Sequence, residues 1–344
     1  MKKFWGKSKI KGNSALAISA GVAVAFMFIA TIVSVVLYKN RMEEAASLLK
    51  EAQYNQYDSY VIMISSDDES DFWQQVYNTA REYGQENGVY VDMISQSVDV
   101  DYSQSQLFEM AIAAGADAVF LEGDNSQIST EQLAKAKKEG VSVITLETDV
   151  EPENRVSYIG VNSYTIANLY ASAIVPDLSE KAKIMIIGDN TANAYMNSGL
   201  VNNLQEAISS AMPGANIEYD IRVIEDTNSF ATEEYIQDLF MENEVPQYVV
   251  CLDEETTTGF YQSMIDYNKV GQINLYGNYT TPTILTGIYH GVINSTVNID
   301  AESMGKAAVD AFIEYRDTGY VSDYINVESQ IIDASNVNDY IVEK

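Results

Sequence analysis

Eight apolar, β-type runs alternate with amphipathic stretches from residue 59 to about residue 280, and this alternation limits the possible folds more than any other feature. The first four are 60–66 (YVIMISS), 89–95 (VYVDMIS), 117–123 (DAVFLEG) and 141–148 (VSVITLET). Helix-like segments at 71–87, 105–114 and 130–139 separate them. The pattern repeats at 183–189 (KIMIIGD), 217–225 (IEYDIRVIE), 247–254 (QYVVCLDE) and 273–280 (INLYGNYT). Strands this continuously apolar must be covered on both faces, which implies parallel sheets flanked by helices. One sheet of about nine strands approaches the usual limit of about ten, so two smaller doubly wound sheets are the economical reading. The echo between halves is architectural, because their sequences do not match.

At 344 residues the chain has ample material for two such lobes. Residues 14–38 (SALAISAGVAVAFMFIATIVSVVLY) hold no charge and no proline. As a helix they exceed the roughly 30 Å hydrocarbon thickness of a bilayer. A cleaved signal peptide is the alternative, but it carries a short apolar region followed by a polar cleavage site. Here the small-x-small triplet, Ala23-Val24-Ala25, lies inside the run, and no cysteine follows that could carry a lipid. An uncleaved anchor is therefore expected. Lys2, Lys3, Lys7, Lys9 and Lys11 precede the span, against Lys39 and Arg41 after it, which keeps the N-terminus cytoplasmic and exports the rest. Residues 39–58, Ala/Glu/Leu-rich up to residue 56 and without Gly or Pro, read as a helical stalk, with a flexible spacer as the alternative.

Seven of the 20 Lys and Arg precede Glu43 and no acid does, which leaves 13 basic against 50 acidic residues beyond that point, a net of −37. A domain so acidic is a poor partner for nucleic acid or an anionic membrane surface. Cys251 is the sole cysteine, so the fold has no intramolecular disulfide to lean on.

In doubly wound sheets ligands bind outside the carboxyl ends of the strands. Those ends carry Ser65-Ser66-Asp67-Asp68-Glu69-Ser70, Glu122-Gly123-Asp124-Asn125, Glu147-Thr148-Asp149, Asp189-Asn190, Asp253-Glu254-Glu255 and Asn278-Tyr279-Thr280. Taken singly, such residues are commonly turn formers and helix caps, and their convergence is the signal. Catalysis finds no foothold. His290 has no Cys or His partner at zinc-ligand spacing, Cys251 sits inside the apolar run YVVC, and Asp67 and Asp68 are adjacent rather than facing. The chain contains no G-x-S-x-G elbow, P-loop or G-x-G-x-x-G. No enzyme activity, cofactor or metal is expected.

Ser66, followed by Ser70-Asp71-Phe72-Trp73 opening a helix, resembles the first ligand-contacting loop of the ribose-type periplasmic binding proteins, the sugar-binding type 1 solute receptors. The resemblance extends through Ala114-Gly115-Ala116-Asp117-Ala118, Gly140-Val141-Ser142-Val143-Ile144-Thr145 and Asp253-Glu254-Glu255 with Gly259. It continues in Ser295-Thr296-Val297 with Met304-Gly305, and in Ile331-Ile332-Asp333-Ala334-Ser335-Asn336-Val337. It covers the chain from Tyr60 to Lys344.

The resemblance implies two lobes joined by three crossing strands, near 156–162, 295–300 and 326–333, with lobe 1 at 59–161 plus 299–326 and lobe 2 at 162–298 plus 327–344. Ligand would lie between lobes that close by hinge bending. Carried over position by position, Ser66, Ser70, Phe72, Trp73 and Glu147 line the cleft from lobe 1, and Tyr195, Asp253 and Tyr279 from lobe 2, with Asn298 near the hinge. Trp73 is expected to present its ring to the ligand. The family's frequent Asp-Arg pair reads Glu147-Thr148, its second-lobe arginine falls near Tyr195-Met196, and its late aspartate falls on Tyr279. An acidic, aromatic cleft without arginine suits a polyol, a glycoside or a cationic amine better than an anion. The expected partners are a small solute and an ABC permease, or alternatively a membrane sensor such as a histidine kinase.

Overall fold

The computed structural model describes residues 57–65, 68–97, 102–123, 128–189, 199–224 and 229–341, with Met27, Ala30 and Thr31. Met27, Ala30 and Thr31 are helical, and the rest of the expected anchor and nearly all of the stalk lie outside the described residues. Among the described residues no helix is long and apolar enough to cross a membrane. Gln56–Lys344 forms one compact unit by itself.

That unit contains two six-stranded sheets. The first comprises β1 (Ser59–Ile64), β2 (Val89–Met93), β3 (Ala118–Glu122), β4 (Ser142–Leu146), β5 (Ser157–Gly160) and β11 (Tyr324–Asn326), in spatial order β11-β5-β4-β3-β1-β2. All its pairings are parallel. The second comprises β6 (Lys181–Asp189), β7 (Asn216–Ile224), β8 (Tyr248–Cys251), β9 (Asn274–Asn278), β10 (Ser295–Ile299) and β12 (Ser329–Asp333), in order β12-β10-β9-β8-β6-β7. It is parallel except for the antiparallel β10–β12 pair. The strand order turns back beside β1 in one sheet and beside β6 in the other, so each is doubly wound with its own switch point.

Burial explains the parallel pairing. Every residue of β1, β3 and β8 is buried, as their unbroken apolar character requires when helices cover both faces. The crossover helices of the first lobe are α1 (Asp71–Glu86), α2 (Gln104–Ala114) and α3 (Thr130–Glu139). Those of the second are α4 (Ser163–Ile174), α5 (Leu200–Ala211), α6 (Ser229–Met241), α7 (Glu254–Asp266) and α8 (Pro282–Tyr289), while α9 (Ala301–Thr318) packs along α1. Ser103 and Ser129 open α2 and α3 with capping boxes to Gln106 and Gln132, and Gly115 and Gly140 close them in the left-handed conformation. Short polar side chains thus set the starts of α2 and α3.

The chain passes between sheets three times, from β5 into α4, from β10 into α9, and from β11 into β12. The stretch expected as a single third crossing strand is two short ones, because β11 pairs with β5 while β12 pairs with β10, and Val327-Glu328 carries the change of sheet. The crossings are laced together. Val327 N–H donates to Gly160 O at 3.0 Å and Asp300 N–H to Glu328 O at 3.0 Å. One apolar cluster runs through both lobes, joining Val61, Phe120 and Ile144 of the first sheet to Ile184, Tyr248 and Val250 of the second.

Candidate ligand-binding site

The carboxyl ends of β4 and β9 occupy equivalent places in the two lobes, and the residues that follow them share an unusual backbone. Glu147 has φ +63° and Tyr279 has φ +65°, the left-handed region that a side chain with a Cβ adopts at a cost. Both are held there in the same way. Glu147 N–H donates to Ile159 O of β5 at 2.9 Å, and Tyr279 N–H donates to Val297 O of β10 at 2.9 Å. The Tyr158 hydroxyl donates to Glu147 O at 2.7 Å, and the Thr296 hydroxyl to Tyr279 O at 2.7 Å. With both backbones so fixed, the two side chains meet across the lobes, where the Tyr279 hydroxyl donates to Glu147 Oε1.

Phe72 completes this contact from the first turn of α1, its ring centroid 4.8 Å from that of Tyr279. Trp73 stands edge-on to Phe72 at 5.1 Å. It is 4 % exposed and, like Phe72 at 8 %, belongs to the apolar cluster. Phe72 and Trp73 both lie on the buried side of α1 with Val76, Tyr77 and Ala80, and Phe72 is the one in ring contact with Tyr279 of the second lobe.

Two other expected contacts serve as helix caps. Ser70 Oγ accepts from Trp73 N at the start of α1 (3.3 Å), and Asp253 Oδ1 accepts from Thr256 N at the start of α7 (2.7 Å). Asp253 is nonetheless buried at the strand end, and its carbonyl accepts from Thr257 Oγ1, which in turn accepts from Asn278 N–H. Asn298 Oδ1 accepts from Thr280 Oγ1 at 3.2 Å. Both line a cavity of ≈ 730 Å³ beside the hinge, together with Gln75, Asp300, Asn326 and Glu328. Ser66 and Tyr195 lie outside the described residues. The structure therefore brings Phe72, Glu147 and Tyr279 together, sets Asn298 at the hinge cavity, and commits Ser70 to a cap.

Tyr158 and Thr296, which position the central pair, were not legible as site residues. A tyrosine in a four-residue strand carries no local signal. Its role depends on Gly160, where a Cβ would come within 2.6 Å of its hydroxyl. Burial raises the Tyr158 phenol well above its ordinary range, so it remains a donor to the Glu147 carbonyl at any physiological pH.

The periplasmic binding protein domain model matches residues 60–319. The chain belongs to this family. Comparison with curated proteins found no significant match. Among solved structures, the fold is similar to GanP, a glucose-galactose binding protein from Geobacillus stearothermophilus, with 18 % identity, TM-score 0.69, and coverage of 81 % of this chain and 98 % of that one. An ABC transporter solute binding protein from Burkholderia graminis in complex with D-arabinose gives 16 % identity, TM-score 0.71 and coverage of 83 % and 99 %. A structure described as a XylFII–LytSN complex gives 17 % identity, TM-score 0.67 and coverage of 80 % and 98 %.

Burial pushes the Cys251 thiol well above its usual value, which makes it a core residue rather than a nucleophile. Among the described residues no group of three or more His, Cys, Asp or Glu is arranged to hold a metal ion.

Proposed function

We propose that this chain captures a small polyhydroxylated solute, a sugar, polyol or glycoside, between its two lobes on the outer side of the cell membrane and catalyses nothing. The observation that carries the reading is the meeting of Glu147, Tyr279 and Phe72 across the lobes at opposed strand ends. A carboxylate accepts hydrogen bonds from hydroxyl groups, and aromatic rings pack against the apolar face of a sugar ring. Solved structures of this fold described as a glucose-galactose binding protein and as a complex with D-arabinose support the solute class. We assign 14–38 as an uncleaved anchor with a cytoplasmic N-terminus, and delivery to an ABC-type permease as the role.

One observation favours a second role. A neighbour of this fold is described as a XylFII–LytSN complex, and a permanent tether suits presentation of the liganded lobes to a membrane sensor such as a histidine kinase. A permease gene adjacent to this one supports delivery, whereas a sensor-kinase gene without a permease supports sensing. The binding reading is tested by a thermal-shift screen of residues 57–344 against sugars, polyols, glycosides, nucleosides, amines and amino acids. At a hundredfold excess over Kd a ligand adds about 2.7 kcal/mol, which moves the midpoint by several degrees. A flat response across the whole panel refutes small-solute capture.

A further inference from the structure

β7 is the outer strand of the second sheet, registered with β6 along all nine of its residues and with no other strand among the described residues. Edge strands are ordinarily kept from pairing with other chains by shortness, proline, lysine or a bulge. The other edges, β2, β11 and β12, have five, three and five residues. β7 (NIEYDIRVI) is longer than any of them, contains no Pro or Lys, and keeps an unbroken register with β6. Its Ile221 and Val223 are 47 % and 37 % exposed.

The backbone is open on the outer side as well. Asn216 N–H donates to Glu180 O, just before β6, so Asn216 and every second residue after it turn their backbone groups toward β6. Ile217, Tyr219, Ile221 and Val223 turn theirs outward, and no backbone group of the described residues bonds them there. Charges around the strand cancel, although the chain as a whole carries −30: Lys181, Lys183 and Arg222 stand against Glu218, Asp220 and Glu244. Copies of so acidic a chain repel one another in general, and a locally neutral edge escapes that repulsion.

We propose that β7 pairs antiparallel with β7 of a second copy of this chain, joining the two six-stranded second-lobe sheets edge to edge. The strand is self-complementary about Ile221. With Ile221 opposite Ile221 of the second copy, Tyr219 faces Val223 and Asp220 faces Arg222. An aromatic opposite a β-branched residue, and an acid opposite a base, are pairs that stabilise antiparallel ladders. Each pair occurs twice, because a two-fold contact repeats it. Outward-turned residues meet outward-turned residues in this register, so Tyr219, Ile221 and Val223 can exchange backbone hydrogen bonds with their opposites. Centring the pairing on Asp220 instead would set two carboxylates face to face, which like-charge repulsion opposes.

The test uses the full chain in detergent micelles. Light scattering should give the parent twice the protein mass of Ile221→Lys, a variant that places two ammonium groups at the two-fold axis. Ile221 is exposed, so this variant should keep the circular dichroism of the parent. Oxidative cross-linking then tests the register, with Cys251 buried and out of reach. Ile221 would lie about 5.5 Å from its copy, within disulfide range, whereas Val223 would lie four residues along, about 14 Å from its own copy. Mild oxidation should therefore join Ile221→Cys into a covalent dimer and leave Val223→Cys as single chains. A parent of single-chain mass, a dimer that Ile221→Lys leaves intact, or equal cross-linking at the two positions overturns the proposal. Should Ile221→Lys fail to fold, the comparison of the two cysteine variants decides by itself.

Discussion

Gly305→Ala sets helix propensity against packing at the contact that carries the first aromatic of the site. Gly305 lies in α9 where that helix crosses α1, and a Cβ there would stand 2.6 Å from Val76 O, 3.0 Å from Ala80 N and 3.0 Å from Thr79 Cβ. The first two are backbone atoms within α1, so no side-chain rotation relieves the clash. The helices would have to separate by about 0.8 Å to restore ordinary contact, and overpacking of this kind costs about 1–3 kcal/mol. Alanine regains about 1 kcal/mol of helix propensity. The balance is a net loss of up to about 2 kcal/mol, a fall in Tm of up to about 8 °C for a domain of this size. Because Ser70 and Phe72 sit at the start of α1, ligand affinity should fall as well. Urea denaturation and ligand titration of the same variant measure both effects. Increased stability would refute the view that the α1–α9 approach is rigid.

Trp73→Ala empties a core position and should cost about 3–5 kcal/mol, lowering the urea midpoint steeply, whereas a loss below about 1 kcal/mol would return the indole to the cleft. Tyr279→Phe and Glu147→Gln, combined in a double-mutant cycle of stability, should show a coupling of about 1–3 kcal/mol, and effects that simply add would deny the interlobe bond. Asp92 is buried beside Tyr60, whose hydroxyl donates to it at 3.2 Å, and burial raises its carboxyl pKa. Its contribution to stability is therefore full below the unfolded value of about 3.9 and is lost as pH rises through the folded value. Asp92→Asn should then gain Tm relative to the parent as pH rises from 4 to 7, and a Tm difference that stays constant over this interval would contradict the burial argument.

How much of this was legible in sequence differs between strands, junctions and site. All eight apolar runs became strands within a few residues of their expected ends, because a segment such as YVIMI has no solvated face to offer and must lie inside a parallel sheet. The divided third crossing was not legible, since Asn326 to Asp333 shows no break until β11 and β12 choose different partners. The strand-end positions of Glu147, Asp253 and Tyr279 followed from topology alone, as ligand sites in such sheets follow the strand termini.

What the side chains do at those positions needed the assembled lobes. Ser70 and Asp253 could serve equally as ligand contacts or caps, and only the distances to Trp73 N and Thr256 N show that they cap. Phe72 and Trp73 are neighbours in sequence and both buried, and only the assembled lobes show that Phe72 is the ring against Tyr279. The sequence by itself determined the two-lobed α/β architecture and an acidic, arginine-free set of strand ends, because hydrophobic patterning and charge are local properties. Tertiary structure alone decided that Glu147 and Tyr279, 132 residues apart, meet with matched left-handed backbones. Such a contact depends on two sheets brought together by three hinge crossings, and no local propensity encodes it.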